Sequence, residues 1–175
     1  MSLPDRQVRV FNFLTGKKTR QYDESITAIQ EMQQAGTAYV KLEDMEFGRR
    51  KALELELERG SIEGEGSTGK GGLLRTSNAV WDESGNFIIY PTLLGIKILN
   101  TVTNRVSRML GSSETSRWLN LALFQGAPAK KGLKTLAMAA SANPLLLDKE
   151  GRDPTLFATA FKKQRFYIFS RSEPE

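Results

Sequence analysis

Three β-rich stretches recur along this chain, and each closes an apolar run with one polar residue. They are residues 8–12 (VRVFN), 96–100 (IKILN) and 165–170 (RFYIFS). Turn chemistry follows the first two: Thr15-Gly16-Lys17 after one, residues 101–105 after the other. Such turns suit antiparallel hairpins, and Gly16 supplies the positive φ that closes the first. Asp5 and Arg6 open that hairpin, and residues 18–22 form its return strand. Upstream of the second stretch, residues 74–81 and 86–92 read as two more strands joined by Asp82-Glu83-Ser84-Gly85. Upstream of the third, residues 118–125 and 155–160 read the same way. The strands therefore group as two, four and three.

Two segments interrupt the pattern. Residues 24–72 contain helix-forming and Gly-rich sequence, and residues 126–153 are rich in Gly, Pro, Lys and Ala. With both set aside, the three stretches recur at about 40 residues, the length of one propeller blade. Within the first insertion, Asp44 is placed to cap a helix over 45–59, and Glu46 stands near its positive end. Glu46–Arg50 and Arg50–Glu54 are spaced for i,i+4 pairing. Leu53, Leu55 and Leu57 alternate with glutamates, which is a strand period. The absence of β-branched residues favours helix. Residues 25–34 form a weaker helix candidate. Residues 60–72 hold six glycines and read as disordered.

The composition narrows the chemistry. The chain has 175 residues, no cysteine and no histidine. Disulfides, thiolate metal sites and the commonest general base are all missing. No metal or cofactor is expected. The apolar runs are too short to span a bilayer, and the N-terminus has no secretory h-region. Charge is uneven: residues 42–65 carry eight acids against four bases, whereas 66–175 carry fifteen bases against eight acids. A basic second half permits contact with RNA or an acidic partner, and the plain alternative is a solvated face.

Several motifs resolve into ordinary parts. Residues 64–71 nearly spell a phosphate-binding loop, but Gly71 stands where the Mg²⁺-holding hydroxyl belongs. Trp81-Asp82 reads as a core tryptophan followed by a turn opener. Phe47, Arg49 and Arg50 put an aromatic beside two arginines, a composition favoured at binding hot spots. The competing reading has Phe47 packed inward and the arginines paired with local glutamates. Lys162, Lys163, Arg165 and Tyr167 set bases beside aromatics, which suits either RNA contact or a hairpin turn followed by a half-buried strand.

The segments PDRQVRVFNFLTGK (4–17), DMEFGRR (44–50), LGIKILN (94–100), LALFQG (121–126) and the tail from residue 153 resemble the peptidylprolyl isomerase domain and WD repeat-containing proteins. The resemblance implies an all-β fold: part of a WD40-type β-propeller, about two and a half blades, where four to eight are needed for closure. A mostly helical insertion and a Gly-rich loop complete it. It implies a protein-interaction scaffold within a nuclear, spliceosome-associated cyclophilin that acts in pre-mRNA splicing. On this reading the cyclophilin domain lies outside these residues, and the chain itself is not an enzyme. Expected partners are the remaining blades and spliceosomal proteins, with weak RNA contact and no membrane. The alternative is a basic, β-rich RNA-contacting module.

Overall fold

A computed structural model describes residues 5–62, 77–126 and 154–170. The described chain is mostly β, with two helices. Strands β1 (Gln7–Phe11) and β2 (Lys18–Asp23) form a hairpin. Helices α1 (Ile26–Gln34) and α2 (Asp44–Ile62) follow. A second sheet orders β3 (Val80–Trp81), β4 (Phe87–Pro91), β5 (Ile96–Asn100) and β6 (Arg105–Leu110). A third orders β7 (Trp118–Phe124), β8 (Thr155–Ala160) and β9 (Phe166–Phe169). Neighbouring strands are antiparallel throughout. The described strands close neither a propeller nor a barrel.

The centre of the middle sheet is buried on both faces, and its sequence shows why. β4 reads FIIYP, a continuous apolar run rather than an alternation. Ile88 and Tyr90 point to one side, where they pack with Leu99 against Val8, Val10 and Tyr22 of the first hairpin. Ile89 points to the other, joining Ile96 in a cluster with Trp118, Leu121, Leu156 and Ala158 of the third sheet. The three sheets thus stack in chain order. Each fully buried large side chain contributes about 1.5–3 kcal/mol. Trp118 is the centrepiece, with Tyr167 and Phe169 edge-on to its ring at centroid distances of 4.7 and 5.5 Å. Gly111 sits at φ 62°, and a Cβ there would enter the Trp118 indole.

Both helices form, with shifted ends. Ser25 caps α1: its Oγ accepts the Ala28 amide at 3.3 Å. Ile29 then packs on Leu93 and Leu94, before β5. α2 begins one residue earlier than expected. The Glu43 carbonyl accepts the Phe47 amide at 2.8 Å, so Asp44 lies in the first turn instead of capping it. The helix also continues to Ile62, through Gly60. The rest of the Gly-rich stretch and residues 127–153 lie outside the described residues, as does the near-phosphate loop.

Trp81 is the clearest departure. Expected in the core, it is 45% exposed. It pairs with Ile88 across β3–β4 and shares its face. That face is covered by the two-stranded hairpin, which reaches Ile88 and leaves the edge strand β3 open. Asp82 does open the turn, accepting the Phe87 amide at 2.9 Å.

Candidate functional site

Two charged side chains of α2, Arg50 and Glu54, face inward and tie all three sheets together. Glu54 is 1% exposed and takes two guanidiniums, Arg6 before β1 and Arg117 before β7. Glu58 stands 3.7 Å from Arg6. One turn earlier, Arg50 donates to the Leu94 carbonyl at 2.8 Å and the Ser112 carbonyl at 2.6 Å, both on the middle sheet's connections. Glu46 holds Arg50 at 2.8 Å and accepts from the Thr115 hydroxyl at 2.8 Å. Leu57 packs on Leu119 of β7, and Glu56 pairs with Lys162 at the β8–β9 turn.

Burial sets the titration of this cluster. It pulls the Arg6 guanidinium down, with Glu58 acting in the opposite direction. It lowers Arg117 to about 10. Burial raises Glu46, but the hydrogen bonds from Arg50 and Thr115 outweigh it and hold that carboxyl below its usual range. A second buried carboxylate, Glu24, accepts from the Tyr90 hydroxyl at 2.9 Å and pairs with Lys97. Desolvation first, and Glu24 second, push the Tyr90 phenol upward. Most of these groups pair with one another, but the buried Arg6 Nη2 has no hydrogen-bond partner among the described residues. Among the described residues no three acidic side chains gather as a metal site.

The residues singled out in the sequence fall in three places. Arg50 is buried and fully used within the fold. Phe47 is half-buried against the Ile29 cluster, whereas Arg49 is exposed. Phe47 also lines an open cleft of about 460 Å³ between α1 and α2, with Gln30, Gln33, Lys41 and Lys51. The cleft's polar groups pair locally: Lys51 donates to Gln30 at 2.8 Å, and Gln33 bonds Val40 and Leu42. At the far end, Lys162 bends at φ 58° into the β8–β9 turn. Lys163 and Arg165 are exposed, and Arg165 lies 4.9 Å over the Tyr167 ring. Tyr167 itself turns inward onto Trp118.

Two features were missed in the sequence. One is the Glu54 cluster, whose partners lie far away in the chain. The other is the outward face of the third sheet. Strand alternation puts Phe124, Phe157, Phe166 and Ile168 there, 50, 38, 64 and 55% exposed. Phe157 and Ile168 are direct cross-strand partners. The alternation in RFYIFS carried this signal, but it leaves open which set faces the core.

The chain resembles known proteins along nearly its whole length. A peptidyl-prolyl cis-trans isomerase, cyp15, of Rhizopus delemar is 56% identical over 99% of this chain and 26% of its own. The mouse peptidylprolyl isomerase domain and WD repeat-containing protein 1 is 47% identical over 98% of this chain and 24% of its own. The Arabidopsis thaliana peptidyl-prolyl cis-trans isomerase CYP71 is 44% identical over 100% of this chain and 26% of its own. The chain thus spans about a quarter of the length of these curated relatives. No protein-family model matches it.

These relatives overturn two expectations. Proteins matched across the whole chain carry the name of an enzyme, so the reading as a WD-repeat interaction scaffold with no enzymatic role is corrected. The RNA-contacting alternative has no support among them. The resemblance to peptidyl-prolyl isomerases stands. Among the described residues no helix is long and apolar enough to cross a membrane.

Proposed function

We propose that this chain is a working part of a peptidyl-prolyl cis–trans isomerase about four times its length. Its whole-chain similarity to isomerases of fungi, mammals and plants is the observation that carries the reading. The reaction rotates an X–Pro amide, whose uncatalysed exchange takes about tens to hundreds of seconds. No bond is broken, so neither a nucleophile nor a metal is needed. This fits a chain without cysteine or histidine.

Within that protein we read the three stacked sheets as consecutive blades of a WD-type propeller. The strand grouping of two, four and three supports this, as does stacking in chain order. Among the described residues the third sheet has three strands, with β9 at its edge, where the middle sheet has four. The apolar outward face of the third sheet is then the seat of a neighbouring blade. Arg49, Lys163 and Arg165, which remain exposed, are the proposed contacts to substrate or partner proteins. The family resemblance supports the nucleus as location and spliceosomal proteins as partners.

A proline-isomerisation assay on an X–Pro peptide tests the enzymatic reading. The protein that contains these residues is expected to accelerate the exchange. The same assay on the 175 residues measures how much of the acceleration they carry by themselves. No acceleration by either would overturn the proposal.

A further inference from the structure

The turn between β1 and β2 presents the most exposed apolar side chains among the described residues. Phe13 is 98% exposed, Leu14 is 91% and Phe11 is 56%. The turn is firmly built. Asn12 Oδ1 accepts the Thr15 amide at 3.0 Å and its hydroxyl at 3.1 Å. The Asn12 amide donates to the Lys17 carbonyl at 2.9 Å, and the Gly16 amide returns to the Asn12 carbonyl at 2.9 Å. The Thr19 hydroxyl closes the base by donating to Val10 at 3.0 Å. Two large apolar groups are thus held outward by this hydrogen-bonded turn, and no hydrophobic cluster of the described residues includes them.

The charge around them is of one sign. Lys17, Lys18 and Arg20 flank the turn, and residues 12–22 contain no Asp or Glu. Among the described residues no carboxylate pairs with these three cations; Lys18 bonds only the neutral Gln21. We propose that the β1–β2 turn is a docking knob for a protein partner. It would insert Phe13 and Leu14 into an apolar groove rimmed by Asp or Glu carboxylates. An aromatic anchor in a pocket is the usual centre of a protein interface, and complementary charge at the rim speeds and orients docking. Because folding already fixes the turn, docking orders little more of the chain. A leucine has no ring to stack on a base, which favours a protein groove over nucleic acid.

A labelled amphipathic peptide with a leucine face flanked by glutamates is the probe, added to the chain and to the longer protein. Binding is expected, weakening about tenfold or more in Phe13→Ser/Leu14→Ser. In Lys17→Glu/Lys18→Glu the preference should pass to a lysine-flanked version of the peptide. Thermal unfolding of both variants should match the parent, since the side chains are exposed. Absence of binding, or equal binding by the tip variant, overturns the proposal. So does a stronger response to phosphatidylserine vesicles or single-stranded RNA than to the acidic peptide. Thiol labelling of Phe13→Cys in the longer protein is the last check. Labelling as fast as in the unfolded chain is expected, and protection would mean that the protein covers the turn itself.

Discussion

Glu54 is the residue on which the stack depends most. It is the shared counterion of Arg6 and Arg117, which come from the first and third sheets. A buried pair is weak evidence of net stability, but removing one partner leaves a buried charge unmatched and costs about 3–5 kcal/mol. Glu54→Gln keeps the volume and removes the charge, so a loss of that size is expected in denaturant unfolding. Gly111→Ala is a smaller change in atoms with a similar direction. It forces a Cβ into the Trp118 ring at a positive φ, and a loss of at least ~1–3 kcal/mol is expected. Glu46 gives a pH signature. Its carboxyl is held below the usual range in the folded state, so its stabilisation is present above about pH 4.5 and is lost as pH falls through the depressed value. The melting temperature should therefore drop on acidification below that point, and Glu46→Gln should show a shallower slope.

At the scale of elements, α2 works as a lashing rather than as an insertion on the surface. Its buried face runs Arg50, Glu54 and Leu57, a helical stripe in which two of three members are charged. Apolar periodicity therefore gives no sign of which side is covered, and the alternating leucines point the wrong way: Leu57 is buried while Leu55 is 38% exposed. The partners outside the helix lie 44 to 63 residues away, beyond the reach of local pattern. The strands were legible for the opposite reason. Their turns use Asn, Asp and Gly in short hairpins, and β4 and β8 declare two-faced or alternating burial in their own residues. Hydrogen exchange should show α2 amides near Arg50 and Glu54 as protected as those of β4. If α2 exchanges like a frayed surface helix, the lashing role is wrong. Leu57→Ala, which empties the contact with Leu119, should cost about 2–5 kcal/mol.

For the whole molecule, the stacking order and the open third sheet matter together. Among the described residues β9 is the edge strand of its sheet, and the face beside it carries Phe157, Phe166 and Ile168. Exposed edges and apolar faces favour association. The isolated 175 residues are therefore expected to self-associate in light scattering. The longer protein should be monomeric, with the Phe166–Phe169 amides protected by an added strand. The strand grouping was legible in the sequence, but the role of the chain was not, because its charged residues hold the fold together and leave no readable reaction centre. Direct observation of catalysed exchange bears on that role most closely. In a magnetisation-exchange experiment on an X–Pro peptide, cis and trans signals are uncoupled without catalyst, because exchange takes about tens of seconds or more. Exchange peaks are expected when the protein containing these residues is added in substoichiometric amount. A spectrum with no exchange peaks at any concentration of that protein would contradict the isomerase reading.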